Sequence, residues 1–218
     1  MEPYYSKGGI DIYHGDCREV LPGLGDVDLV LTDPPYGVGL DYGDSVDDSF
    51  EAWCELMDWF IPSARDKSSC LLVPTSKIEG ERYIWINHPP TWRLCWYKGA
   101  TTTRCAMGWK DWEPVFLWGR GSRPQHDHFN IPPDQSRRAQ SIHPCPKPIR
   151  WATWLCARLS EHDQMVLDPF MGSGTTLVAA KTLGRRAIGI EIEEKYCEIA
   201  AKRLGQDVFD FEGAAHGL

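Results

Sequence analysis

Short apolar runs alternate along this chain with segments whose apolar residues follow helical spacing. Residues 10–14 alternate between apolar and polar side chains, which is typical of a strand with one buried face. Four further runs are short and apolar, as buried parallel strands usually are, and lie at 27–31, 69–73, 165–167 and 187–190. The pattern therefore predicts a sheet that is largely parallel.

Helices are predicted between these runs. Asp48 or Ser49 is a suitable N-cap for a helix that we expect Pro62 to end. The apolar residues of that helix recur every three or four positions and are Phe50, Trp53, Leu56, Met57 and Phe60. Pro148 is suited to the first position of another helix, with an apolar face of Trp151, Trp154, Leu155 and Leu159. Short helices are also expected at 18–24, 175–183 and 193–204.

The middle of the chain follows neither period over long stretches. Residues 91–97 and 113–118 are predicted to be antiparallel strands at the far edge of the sheet, with a polar turn region between them. Residues 119–141 read as a long loop, and residues 37–48, rich in Gly and Asp, as a mobile loop. Strands alternating with helices indicate an α/β fold with a doubly wound sheet.

The composition is that of a soluble protein with one domain. The chain has 218 residues, 42% of them hydrophobic. No apolar run approaches the ~20 residues of a membrane span, and the N-terminus lacks a signal-peptide pattern, so a cytoplasmic location is expected. Eight cysteines without a C-x-x-C pair indicate reduced thiols rather than a disulfide framework. A zinc site from His126, His128, His143 and Cys145 is disfavoured because these residues lack ligand-spaced pairs.

The charge is unevenly distributed along the chain. The net charge is −8, yet residues 65–150 contain 14 basic and 7 acidic residues. The same segment contains six of the ten tryptophans. Basic groups with aromatic rings suit nucleic acid, although we expect most of these tryptophans to lie in the core.

The stretch from Thr32 to Gly37 carries unusual chemistry for the end of a buried strand. Pro34 and Pro35 fix the backbone and offer no N–H, so Asp33 and Tyr36 are presented in a rigid turn. A carboxylate, free carbonyls and one flat ring suit an aminated heterocycle. The alternative is a proline-rich strand exit with a solvated Asp33.

A second unit, at residues 164–191, has the pattern of a small-ligand site. Gly172 and Gly174 allow a tight turn that exposes N–H groups near a helix N-terminus. Glu191 follows Asp168 by 23 residues, which fits the offset at which an acid binds ribose hydroxyls. Leu177 stands where the third glycine of a dinucleotide motif belongs, so a ribose-bearing ligand without pyrophosphate fits better than NAD. The alternative is an ordinary αβ unit with structural glycines.

Three motifs together resemble those of the DNA amino-methyltransferases, which use S-adenosylmethionine to methylate adenine N6 or cytosine N4. Asp33-Pro34-Pro35-Tyr36 resembles their catalytic motif, and residues 168–176 (DPFMGSGTT) resemble their cofactor-binding loop. Residues 143–148 (HPCPKP) resemble the motif that precedes this loop. The catalytic motif comes first here, as in the circularly permuted β class of these enzymes.

The resemblance implies a circularly permuted Rossmann-like domain over 1–218. It includes an antiparallel edge and a short basic insertion, both within about 77–142, where target recognition is expected, and a loose tail at 205–218. The implied partner is double-stranded DNA; a homodimer is left open, and a membrane is not expected. The implied catalytic residues are Asp33, Pro34, Pro35 and Tyr36. The implied cofactor-binding residues are Asp16, Cys17, Asp33, Lys147, Asp168, Pro169, Phe170, Gly172, Ser173, Gly174, Thr175, Glu191 and Ile192, with no metal.

The roles of two of these residues stay open. Asp16 is expected either to face the cofactor adenine or to cap the helix after it, and the two roles can coexist. Lys147 is expected to contact the cofactor carboxylate or to anchor its loop.

The leading hypothesis is a DNA adenine-N6 methyltransferase of a bacterium or phage, with or without a restriction partner. In this family Asp at the first position of the catalytic motif is more usual for adenine, and Ser for cytosine N4, which is the runner-up. RNA methyltransferases usually have the opposite motif order. An inactive DNA-binding or partner subunit is the alternative from another class.

Overall fold

A computed structural model describes residues 2–36, 49–99, 104–121, 126–132 and 147–205. Within these residues the main sheet has nine strands, in the order β1 (Tyr5–Lys7), β2 (Ile10–His14), β11 (Arg186–Glu191), β10 (Met165–Asp168), β3 (Leu29–Leu31), β4 (Cys70–Pro74), β8 (Trp112–Gly119), β5 (Trp92–Tyr97) and β9 (His128–Asn130). The five central strands from β2 to β4 in this order are parallel, while β8 is antiparallel to both β4 and β5. This is the predicted α/β fold with a largely parallel sheet.

The strands are short, as the apolar runs predicted. Their bounds are β1 Tyr5–Lys7, β2 Ile10–His14, β3 Leu29–Leu31, β4 Cys70–Pro74, β5 Trp92–Tyr97, β6 Arg104–Cys105, β7 Gly108–Trp109, β8 Trp112–Gly119, β9 His128–Asn130, β10 Met165–Asp168 and β11 Arg186–Glu191. Strands β6 and β7 form a separate hairpin.

Helices cover both faces of the sheet. Their bounds are α1 Cys17–Val20, α2 Phe50–Lys67, α3 Ile78–Asn87, α4 Ile149–Leu159, α5 Thr175–Thr182 and α6 Glu194–Gly205, and a 3-10 turn at Leu21–Gly23 follows α1. Alternate residues of β3 face opposite layers, since Leu29 and Leu31 pack with α4 to α6 and Val30 packs with α1 to α3. Two buried layers therefore hold the sheet from both sides.

The predicted antiparallel pairing of β5 with β8 is confirmed, but the two strands do not form the far edge of the sheet. β8 pairs with β5 over the whole length of β5. The far edge is formed by β9, which pairs parallel to β5 within a segment that we expected to be loop. Helix α3, in a region without helical periodicity, was not predicted.

The prediction that Pro62 ends its helix is wrong. Ser49 caps α2 by accepting from Ala52 N at 3.2 Å, as expected, but the helix continues past Pro62 to Lys67. Pro62 lies on the exposed side of α2, where the carbonyl that loses its donor can face water. Buried Phe60, Ile61 and Ala64 continue to pack on the sheet and hold the helix together.

The expectation that most tryptophans of the basic segment are core is also wrong. Trp96 and Trp118 are buried. The other four have substantial exposed surface and are Trp85, Trp92, Trp109 and Trp112. Polar partners and cationic neighbours, rather than core packing, surround several of them.

Some predictions fall outside the described residues, namely the loop at 37–48, most of the loop at 119–141, and the tail beyond 205. His143 and Cys145 also lie there, and within the described ranges no group of three His, Cys, Asp or Glu side chains could hold a metal ion. No described helix is long and apolar enough to cross a membrane. The seven described cysteines are free thiols.

Candidate active site

One cavity lies at the carboxyl ends of the parallel strands. Its volume is about 610 Å³, and it is lined by residues that follow β2, β3, β10 and β11. Ligands of open α/β sheets bind at this edge. All the candidate site residues predicted from the sequence line the cavity except Gly174, which caps the helix behind it. The two motifs, far apart in the sequence, therefore meet in one space.

Asp33 lies just beyond β3 and is held by two donors. The Tyr36 hydroxyl donates to Asp33 Oδ1. Lys147 Nζ lies 2.9 Å from the same oxygen and 2.6 Å from the Tyr36 hydroxyl oxygen. The Lys147 side chain is only 9% exposed, so its charge is buried against this carboxylate. The three side chains form one compact cluster on the wall of the cavity.

Asp168 connects the catalytic strand to the cofactor strand. The Thr32 hydroxyl donates to Asp168 Oδ1 at 2.6 Å, and both side chains are buried. The Phe170 N–H donates to the same oxygen at 3.2 Å. Burial raises the pKa of Asp168 to about 7, and the hydrogen bonds from Thr32, Thr176 and Phe170 oppose that shift only in part. The group that joins the two strands therefore titrates near neutral pH.

Glu191 lies at the end of β11 with both carboxylate oxygens fixed by backbone donors. Gly172 N donates to Oε2 and Glu193 N to Oε1, each at 2.9 Å. Burial raises the pKa of Glu191, and these N–H donors act in the opposite direction. Gly172 and Gly174 adopt positive φ values of 51° and 79°, which place the turn beneath the cavity. A carboxylate fixed in this way is suited to accept from neighbouring hydroxyl groups.

Asp16 caps α1, and its side chain is also paired with Arg18. Its Oδ1 accepts from Arg18 N at 2.8 Å, and the Arg18 guanidinium binds both oxygens. The hydrogen bonds from the Arg18 side chain lower the pKa of Asp16. Burial raises the pKa of the adjacent Cys17 thiol to about 12, which favours the neutral thiol over the nucleophilic thiolate.

Helix α2 supplies a wall of the cavity that the sequence did not predict. Ala52, Glu55, Leu56 and Trp59 line the cavity from this helix. Their spacing follows one helical face, but the same spacing also describes the core-facing positions. Only the tertiary arrangement distinguishes the two faces.

Known proteins resemble this chain over its whole length. The model of a family described as DNA methylase, N6_N4_Mtase, matches residues 74–202, which is more than half of the chain. A type II methyltransferase of Lactococcus lactis subsp. cremoris, M2.LlaDCHI, is 43% identical over 271 aligned positions, covering 100% of this chain and 95% of that protein.

Solved structures share the fold. A PvuII DNA methyltransferase specific for cytosine N4 superposes with a TM-score of 0.76 at 18% identity, covering 96% of this chain and 91% of that one. The complex of M1.HpyAVI with SAM gives a TM-score of 0.67 at 24% identity, covering 90% of this chain and 100% of that one.

Proposed function

The chain belongs to the N6/N4 family of DNA methylases, and we propose that it moves the methyl group of S-adenosylmethionine to the N6 amine of adenine in double-stranded DNA. One observation carries the proposal: the Asp33 carboxylate, clamped by Tyr36 and Lys147, opens onto the same cavity as the fixed Glu191 carboxylate. A group that can hold an amine and a group that can hold a ribose thus share one enclosed space.

The cofactor half of the cavity fits a ribose-bearing molecule. The Glu191 oxygens retain lone pairs for two ribose hydroxyls after they accept from Gly172 and Glu193. Position 174 favours glycine for two reasons. Its φ is positive, and an added Cβ would lie 2.8 Å from the Ala200 Cβ. A cavity of about 610 Å³ is within the usual range for such ligands. When bound there, S-adenosylmethionine supplies a methyl group on a positively charged sulfur.

The base half of the cavity activates the amine. An exocyclic amine is a weak nucleophile because its lone pair is conjugated with the ring. Asp33 and the Pro34 carbonyl accept hydrogen bonds from the two amine protons, which favours a pyramidal nitrogen and stabilises its developing positive charge. The nitrogen lone pair would form the new bond to the methyl carbon that S-adenosylmethionine would supply, and the carbon–sulfur electron pair would stay on sulfur. The methylated amine then releases a proton to Asp33 or water.

Tyr36 and Lys147 orient this carboxylate. Because both donors bind Oδ1, the amine approaches Oδ2. The Tyr36 ring also lines the cavity, where a base that has left the duplex can stack on it. Lys147 thus contacts the proposed catalytic carboxylate, whereas the sequence left open whether it contacts the cofactor carboxylate or anchors its loop.

Cytosine N4 is the second candidate. The superposition with a cytosine-N4 enzyme favours it. The adenine N6 amine and the cytosine N4 amine also present the same donor atoms to an acceptor. Adenine is preferred because a carboxylate stands at the first position of the motif Asp33–Tyr36, where the family more usually has Ser for cytosine.

The test is to express the gene in a bacterial host whose own DNA amino-methyltransferases have been deleted and to sequence host DNA by a method that reports modified bases. We expect N6-methyladenine at one recurring sequence, and none when Asp33→Ala is expressed. N4-methylcytosine alone would replace the proposal with the second candidate.

A further inference from the structure

We propose that the β6–β7 hairpin and the aromatic residues at its base form the surface that contacts the DNA duplex beside the cavity. This hairpin surface consists of Tyr97, Arg104, Met107, Trp109 and Trp112. The inference rests on the proposed function, because it assigns a surface to the substrate of that same cavity.

The direction of the strands places the hairpin at the cavity edge. β4 and β5 are both antiparallel to β8, so they run in the same direction and end at the same edge of the sheet. That edge is the one where Asp33 follows β3, because β3 is parallel to β4. The connection from β5 to β8 therefore leaves the sheet on the side of the cavity. The Lys110 ammonium donates to the carbonyl of Ser76, just beyond the end of β4, and fixes the base of the connection there.

Two short contacts join this connection to the catalytic carboxylate. Lys147 Nζ, 2.9 Å from Asp33 Oδ1, also lies 5.7 Å from the centre of the Trp96 ring. Trp96 precedes Tyr97 in β5, and Lys98 Nζ lies 4.6 Å from the same ring. The hairpin surface thus begins beside the site where the base is methylated.

The chemistry of the hairpin surface suits a duplex. Met107 is 95% exposed and Trp109 is 53% exposed, which is unusual for large apolar side chains. The Arg104 guanidinium lies 4.0 Å from the Trp109 ring centre, and that of Arg93 lies 5.4 Å from the Trp112 ring centre. Cations bind phosphates, while Met and aromatic side chains contact bases or wedge between base steps. Both kinds of group occur here at the tip and flank of one hairpin.

Local charge favours DNA over a second copy of this chain. Residues 97–113 contain three cations, Lys98, Arg104 and Lys110, and two acids, Asp111 and Glu113, and Glu113 is paired with Lys98, in a chain whose net charge is −8. A two-fold dimer through this surface would bring the remaining cations, Arg104 and Lys110, close to their copies. A polyanion that approaches the cavity edge is attracted by them instead.

A matched pair of tryptophan positions tests the assignment. Trp109 is on the hairpin, whereas Trp92, at 56%, is equally exposed but begins β5, about 16 Å back from Tyr97 at 3.3 Å per residue. Affinity for a fluorescein-labelled duplex of mixed sequence, measured by anisotropy with S-adenosylhomocysteine present, should fall about tenfold or more in Met107→Ala/Trp109→Ala. It should change less than about twofold in Trp92→Ala, and binding of S-adenosylhomocysteine itself should be unchanged in both.

Arg104→Ala provides a second readout. Loss of one phosphate contact should reduce the slope of log affinity against log salt by about 1. Unchanged duplex affinity and salt slope in both hairpin variants would overturn the inference. The same result with a shift of the sedimenting species to lower mass would assign the surface to self-association. Direct binding does not depend on turnover, so a wild-type protein that binds the duplex through the hairpin but transfers no methyl group would contradict the proposed function alone.

Discussion

At the residue scale, the carboxylates of Asp33 and Glu191 line one cavity but have different neighbours. The neighbours of each indicate which role it is proposed to have. Asp33 is contacted by side chains, Tyr36 and Lys147, that end at the base half of the cavity. Glu191 is contacted by the backbone N–H groups of Gly172, in the turn after β10, and of Glu193, just before α6, in the proposed cofactor half. Substitution of each should therefore affect a different step.

Asp33→Ala should nearly abolish methyl transfer, whereas Glu191→Ala should mainly weaken cofactor binding. In the proposed mechanism Asp33 holds the amine as charge develops on it, so its loss should appear in turnover. Glu191 is proposed to hold ribose hydroxyls in the ground state and the transition state alike. Loss of its charge-assisted bonds should lower affinity roughly ten- to a hundredfold, for about 1.5–3 kcal/mol.

Equilibrium binding of S-adenosylhomocysteine to both variants, beside their single-turnover rates, makes the comparison. A loss of S-adenosylhomocysteine binding in Asp33→Ala as large as that in Glu191→Ala would show that Asp33 serves the cofactor as well.

The buried Asp168 carboxyl makes the free energy of unfolding of the protein depend on pH. Its pKa is about 7 in the folded protein and near 3.8 when unfolded. As the pH rises between these values, the unfolded chain loses this proton before the folded protein does. The contribution of Asp168 is therefore fully present below about pH 4 and is lost as the pH approaches 7.

Asp168→Asn should remove the loss of stability that Asp168 causes as the pH rises from 4 to 7. The amide oxygen can still accept from Thr32 and Phe170, but it does not ionise. The free energy of unfolding of the variant relative to wild type should therefore rise between pH 4 and 7, by up to roughly 4 kcal/mol. Urea unfolding without cofactor at several pH values measures this difference. Parallel curves for the two proteins would show that Asp168 is ionised in the folded state throughout.

Where a motif is local, the sequence identified residues that the structure brings to one cavity. Asp33, Tyr36 and Glu191 follow buried strands, so strand direction alone brings them to one edge. The contact of Lys147 with Asp33 was not predicted, because 114 positions separate the two residues and only the sheet order joins them. Asp16 was predicted with two open roles, and the structure shows the cap.

At the scale of elements, the turn between β10 and α5 is the most constrained part of the cofactor half. Gly174 precedes α5 in a left-handed conformation, and an added Cβ would meet Ala200 of α6 at 2.8 Å. Both the backbone angle and the packing of two helices therefore depend on glycine.

Gly174→Ala should lower the free energy of unfolding by roughly 1–3 kcal/mol and weaken cofactor binding. Gly205→Ala is the matched control, because nothing lies within 4 Å of its added Cβ and it ends α6. The control should be neutral or stabilising by up to about 1 kcal/mol. Chemical denaturation of both variants gives the comparison, and equal losses would show that the turn is not the cause.

Elements were predictable where the apolar period is clear and were missed where tertiary pairing creates them. Helix α3 buries only Gly80 and Ile84, while Ile78, Trp85 and Ile86 are exposed, so its apolar residues do not mark one face. Strand β9 has three residues and is stabilised by pairing with β5 rather than by its own sequence. At Pro62 the sequence predicted a helix end that does not occur. The packing of neighbouring residues on the sheet outweighs the local helix-breaking effect of proline.

At the scale of the whole molecule, the fold brings Asp33 from the acidic N-terminal part, the β6–β7 hairpin from the basic middle and Glu191 from the C-terminal part to one edge of one sheet. Exposed apolar side chains, Met107 and Trp109, and the Arg104 guanidinium lie on the hairpin at that same edge. A single chain with these features should bind cofactor and DNA together and carry out transfer without a partner protein.

The most direct test of this account uses the purified chain alone, with S-adenosylmethionine labelled in its methyl group and plasmid DNA from a host without DNA methylation. After digestion to nucleosides, the account predicts label in N6-methyldeoxyadenosine, and none with Asp33→Ala. Label confined to N4-methyldeoxycytidine would contradict the choice of base. No label, with binding of S-adenosylhomocysteine intact, would contradict the claim of catalysis and favour a partner subunit.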